Sequence, residues 1–132
     1  MDAGSPQTNE KKTILLIEDD LDVRDTLTAL LEYEGYHVAA ANHGKEGIEK
    51  LDSCNPPAAL ILLDLMMPVM NGWEFLDHLK HRDANDPFRN VPVIVISATG
   101  ENKEEQFIVA DYIRKPVDVE LLLASVAKHC PL

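Results

Sequence analysis

Basic residues, cysteines and long apolar runs are all scarce in this chain of 132 residues, and each scarcity excludes a class of function. Twelve Lys and Arg stand against 23 Asp and Glu, a formal net charge of −11. An excess of that sign repels a phosphate backbone, so direct contact with nucleic acid is not expected. The two cysteines, Cys54 and Cys130, lie far apart and have neither metal-ligand nor redox spacing. They read as reduced thiols of a cytoplasmic protein. No apolar run approaches the roughly 20 residues that span a bilayer, so membrane insertion is not expected. The opening stretch MDAGSPQTNEKK lacks the apolar centre of a secretory signal.

What is present is the composition of an ordinary globule, 45% hydrophobic and 27% charged. The length suits one domain, and a domain of this size buries about two-thirds of its unfolded surface. Residues 1–12 are polar and contain Gly4 and Pro6, which predicts a disordered N-terminal tail ahead of a domain over 13–131.

From Thr13 onward, apolar runs alternate with segments of helical periodicity. The runs are TILLI (13–17), HVAAA (37–41), AALILL (58–63), VPVIVI (91–96) and the short DYI (111–113). All but the last are continuous, as in strands covered on both faces. Val23, Leu27, Leu30 and Leu31 form one helical stripe. A shorter helix over 43–53 turns Ile48 and Leu51 inward. Asn71 and Glu74 have capping-box spacing and open a helix that buries Phe75, Leu76 and Leu79. Asp118 can cap a last helix with Val119, Leu122, Leu123 and Val126 inside. One further helix is expected within 101–109. Five strands alternating with helices predict an α/β fold: a doubly wound five-stranded parallel sheet in a flavodoxin-like three-layer sandwich. Its predicted strand order is 2-1-3-4-5, which places functional groups just past the carboxyl ends of strands 1 and 3.

Those ends are acidic. Glu18-Asp19-Asp20 follows the first run and Asp64 the third; Ser97 closes the fourth, and Lys115-Pro116 follows the fifth. An acidic cluster before a helix can simply cap it, and Asp20 or Asp22 suffices for that. Asp64 is different, because a carboxylate ending a buried strand loses hydration. Carboxylates ~4 Å apart at an effective dielectric near 20 repel by about 4 kcal/mol per pair, so a cation must offset them. Lys115 is one candidate: it precedes the last helix, where the dipole disfavours positive charge. A hard divalent cation with oxygen ligands is the other. Carboxylates, a lysine and a hydroxyl around such an ion are what phosphoryl transfer to an aspartate requires.

The stretches ILLIEDD (14–20), LILLDLMMPVMNGWEFL (60–76), VPVIVISAT (91–99) and DYIRKP (111–116) resemble the receiver domain of two-component response regulators, over about residues 13–130. The resemblance implies that Asp64 is the phosphoacceptor for a phosphohistidine. It implies Mg²⁺, with Mn²⁺ able to substitute, held by Asp19 directly, by Glu18 through water, by Asp64 and by the backbone carbonyl of Met66. Ser97 is then expected to hydrogen-bond the phosphoryl group, Lys115 to pair with it, and Tyr112 to be the aromatic switch. Pro68 and Gly72 bracket the loop after Asp64, and Pro116 is expected to follow a cis bond. Trp73, at the start of the third helix, is expected to pack at the rim of the core. The implied partners are a sensor histidine kinase or phosphotransfer protein, and a downstream protein acting in trans. The chain ends just after the last helix, so no output domain of its own is expected; nor is turnover of an external substrate. A monomer or weak dimer follows.

One departure stands out: 17 residues separate Ser97 from Lys115, fewer than such domains usually carry. It puts the usual output surface in doubt and keeps a second possibility open, a receiver-like binding module that signals without phosphorylation. A Mg²⁺-dependent aspartyl-phosphate phosphatase of the haloacid dehalogenase type is a third, since Asp20 and Asp22 have its Asp-x-Asp spacing.

Overall fold

The alternation in the sequence is realised element by element in the computed structural model, which describes residues 11–98 and 107–132. The order is β1 (Thr13–Ile17), α1 (Leu21–Tyr33), β2 (His37–Ala41), α2 (Gly44–Ser53), β3 (Ala58–Asp64), α3 (Gly72–Lys80), β4 (Val93–Ser97), β5 (Asp111–Arg114) and α4 (Val119–His129). The strands form one parallel sheet in the order β2-β1-β3-β4-β5, the expected doubly wound arrangement.

The strand period of two sorts the core into two layers. Ile14, Leu16, Leu60, Leu62, Ile94 and Ile96 face α1 and α4, where Leu27, Leu31, Leu122 and Val126 meet them. Leu15, Ile17, Ile61, Leu63, Val93 and Val95 face α2 and α3, packing on Leu51, Phe75, Leu76 and Leu79. That is why the central runs are continuously apolar: both faces of β1, β3 and β4 are buried. β2 differs from this expectation, because it lies at the sheet edge and its residues 38–40 are only half-buried.

Local signals set the helix ends. Asp20 accepts a hydrogen bond from the Val23 amide, and Asp118 one from Leu121. Asn71 and Glu74 form the full capping box at α3. The His43 ring caps α2 by accepting from the Glu46 amide, a cap that the sequence does not advertise. Val119 is 39% exposed rather than inside, because α4 meets the sheet only from Leu122 onward. Ser125 is buried in its place and donates to Asp111. The helix expected within 101–109 lies mostly outside the described residues, and 107–109 are neither helix nor strand. Most of the expected tail, 1–10, also lies outside them. Among the described residues no helix is long and apolar enough to cross a membrane.

Candidate functional site

Parallel strands that start together end together, and here four of them end on chemistry. Glu18 and Asp19 leave β1, Asp64 ends β3, Ser97 ends β4 and Lys115 leaves β5. One carboxylate oxygen each from Glu18, Asp19 and Asp64 lies within 4.8 Å of the others. Glu18 and Asp64 are 1% and 2% exposed, whereas Asp19 faces solvent. Lys115 Nζ lies 2.8 Å from Glu18 Oε1 and 3.5 Å from Asp64 Oδ2. Its main chain is tied to the same rim, since the Lys115 amide donates to the Ser97 carbonyl at 2.9 Å. The Lys115-Pro116 bond is cis, as the resemblance implied.

The charges do not balance. Burial pushes the Asp64 carboxyl up to about 7, helped by the Glu18 charge and a hydrogen bond with Asp19, and Lys115 only partly opposes this. For Lys115, burial works against the ammonium, but the hydrogen bond to Glu18 and the charges of Asp64 and Glu18 outweigh it and hold its pKa above the ordinary value. Glu18 Oε1 is buried, and the Lys115 ammonium is the cation beside it. An all-oxygen, carboxylate-rich cluster with one lysine and residual negative charge fits a hard divalent cation of the Mg²⁺ kind.

The loop from Asp64 to α3 is tightly built. Asp64 Oδ1 accepts from the Met66 amide at 3.2 Å, and the Met66 side chain is 58% exposed. Pro68 is exposed, and its carbonyl accepts from the Met70 amide at 2.8 Å around Val69, whose φ is 68°. That left-handed γ-turn is strained for a β-branched residue. Gly72 brings α3 against the site: a Cβ there would stand 2.7 Å from the Asp64 carbonyl oxygen and from Leu65 Cα. The Gly72 amide donates to the Leu65 carbonyl at 3.0 Å.

Of the residues singled out in the sequence, Glu18, Asp19, Asp64, Ser97 and Lys115 reach one rim. Tyr112 is half-buried on β5, opposite Val95, and packs on the α2–α3 side of the core. Trp73 stacks on Phe107 with centroids 5.8 Å apart, the packing role expected of it. Arg24 escaped the sequence reading; its Nη1 donates to the Glu18 carbonyl at 2.9 Å and reaches the Asp19 carbonyl at 3.5 Å. The signal for it was an arginine in the opening turns of a helix, where the dipole disfavours a cation.

This chain belongs to the response regulator receiver domain family, the phosphoacceptor switches of two-component systems; the family's model matches residues 14–127. It is 35% identical over 117 residues to a transcriptional regulatory protein, the CpxR homolog of Haemophilus influenzae, covering 86% of this chain and 48% of that protein. The chain therefore spans about half the length of that relative. A 14.6 kDa protein of Leptolyngbya boryana, described as uncharacterized, is 31% identical and is covered to 94%, as is this chain. The crystal structure of a response regulator receiver protein from Pseudomonas putida shares the fold, with a TM-score of 0.80 at 23% identity over 90% of this chain and 98% of that one.

Proposed function

We propose that Asp64 accepts a phosphoryl group from a phosphohistidine on a sensor histidine kinase or phosphotransfer protein. The observation that carries this reading is the cluster itself: three carboxylates within 4.8 Å, met by a lysine that reaches two of them. An Asp64 oxygen attacks phosphorus, the new O–P bond forms as the N–P bond breaks, and the electron pair leaves on the imidazole nitrogen. Asp64 must be ionised to attack, and with its pKa near 7 the metal-free carboxyl is held part-way at neutral pH. Lys115 favours the carboxylate and is placed to pair with the incoming phosphoryl oxygens. Ser97, at the end of the neighbouring strand, is the candidate hydrogen-bond donor to them. Mg²⁺, or Mn²⁺ in its place, would be held by Glu18, Asp19, Asp64 and the Met66 carbonyl, and would supply neutralisation of the transferring charge.

A phosphoryl group adds nearly two negative charges at the rim, and Tyr112 on β5 is the candidate element that responds. On this reading the chain is a cytoplasmic switch rather than a turnover enzyme. It offers a changed surface to a downstream protein in trans, as a monomer or weak dimer. The phosphatase alternative loses support from Asp20, whose carboxylate caps α1 and is not part of the three-carboxylate cluster.

Incubation with acetyl phosphate and Mg²⁺, followed by intact mass measurement, tests the proposal. One added phosphoryl group is expected on the native chain and none on Asp64→Asn. No gain on the native protein would favour the binding module that signals without phosphorylation, for which the short span between Ser97 and Lys115 speaks. A gain that survives the substitution would move the acceptor elsewhere.

A further inference from the structure

We infer that Arg24 is a positioning residue: it holds the acidic loop after β1 from behind, so that Glu18 and Asp19 present their carboxylates to a divalent cation. The inference rests on the reading of the cluster as a cation site.

The loop is pinned through its main chain. At its start the Glu18 amide donates to the Ala41 carbonyl at 3.0 Å, continuing the ladder to β2. At its end the Asp20 carboxylate caps α1, and the Asp20 carbonyl accepts from the Arg24 amide at 2.8 Å. Between these points the Glu18 and Asp19 carbonyls turn toward the Arg24 guanidinium, at 2.9 and 3.5 Å. The peptide unit joining Asp19 to Asp20 is thus held at both ends. Its carbonyl faces Arg24, and its amide donates to Glu18 Oε2 at 3.1 Å. Asp19 is exposed, so no surrounding core dictates where its carboxylate points. The peptide unit sets the direction of the Asp19 Cα–Cβ bond, from which the carboxylate reaches the hydrogen bond with Asp64.

Local helix energetics do not account for an arginine here. Arg24 is the fourth residue of α1, near the positive end of the dipole. Among the described residues its guanidinium is bonded to carbonyl oxygens rather than to a carboxylate, so a surface ion pair there does not account for it either. What remains is the tether itself: one nitrogen, Nη1, serves both neighbouring carbonyls, one at 2.9 Å and the other at 3.5 Å, with the planar guanidinium fixing the direction of its two N–H bonds. Groups that orient metal ligands without touching the metal commonly matter about tenfold or more for affinity.

The sign of the effect separates this role from simple electrostatics. Removing a positive charge close to a cation site should tighten cation binding by Coulomb's law. Losing a tether should weaken it. Titration calorimetry of the full chain with Mg²⁺, and separately with Mn²⁺, decides between them for the native protein, Arg24→Gln and Arg24→Lys. The readings are taken at a temperature where circular dichroism shows all three fully folded. Arg24→Gln is expected to bind about tenfold more weakly, and Arg24→Lys to recover part of the loss. The acetyl phosphate rate of Arg24→Gln should return toward native at saturating Mg²⁺, because the tether acts on binding. Unchanged or tighter binding by Arg24→Gln would overturn the inference and leave the cation site standing. No binding of either ion by the native chain would instead bring down the reading of the cluster, and the inference with it.

Discussion

Asp64 is the residue where folding and function conflict most directly. Its folded pKa of about 7 lies above the ordinary value of 3.8, so between those values the folded protein holds a proton that the unfolded chain has released. Stability therefore falls as pH rises through that window, and the full penalty is present above pH 7. Without divalent cation, Asp64→Asn is expected to be more stable than the native chain above pH 7, with the two converging toward pH 4 and Mg²⁺ narrowing the gap for the native chain alone. Urea unfolding across that range checks this; parallel curves would refute it. Lys115→Ala should still bind Mg²⁺, since every carboxylate remains, but the NMR response around Tyr112 to phosphorylation should be lost. An undiminished response would remove Lys115 from the coupling. At this scale the acids, Ser97 and Lys115 were legible because each stands where an apolar run stops. Arg24 was not, because its partners are carbonyl oxygens, which every residue carries alike.

Among the elements, the loop between β3 and α3 shows how local backbone chemistry positions the Asp64 carboxylate. Gly72 has no room for a methyl beside the Asp64 and Leu65 main chain. Gly72→Ala is expected to cost about 1–3 kcal/mol by overpacking and to slow phosphorylation. Unaltered stability would show that the helix can retreat freely. Val69 offers the opposite case. Strain of about 1–3 kcal/mol at such a φ is relieved by glycine, whose added chain entropy takes back up to about 1 kcal/mol. Val69→Gly should therefore raise the urea midpoint, and a lower midpoint would show that the valine side chain makes up for its strain. The helices of this fold could be read from caps and stripes, as with Asn71, Glu74 and Asp118. Val119 misled because periodicity says which side of a helix is apolar, not where along its length the sheet begins. The His43 cap was hidden for a related reason: a ring nitrogen accepts a hydrogen bond only when tautomer and rotamer cooperate, which composition does not record.

For the whole molecule, the sheet explains both why the fold was readable and why β2 departed from it. Continuous runs such as LILL and VIVI announce strands buried on both faces; HVAAA has the same continuous pattern, and what marks it as half-covered is its edge place in the strand order, not its own residues. The net charge of −11 acts at this scale too, as diffuse self-repulsion. Raising monovalent salt from low to about physiological strength should stabilise the metal-free chain with no change in the urea m-value, since the Debye length shrinks to about 8 Å. A salt-independent midpoint would mean that the repulsion is already neutralised locally.

The bond between the Lys115 amide and the Ser97 carbonyl has a use as a gauge. It is a main-chain rung joining the two strand ends that carry the hydroxyl and the ammonium, so the pair cannot drift apart without breaking it. The Lys115 amide proton therefore reports, through its exchange with heavy water, how often the mouth of the sheet springs open. A phosphoryl group bridging both side chains would clamp that rung, and the same proton would become one of the slowest on the rim to exchange.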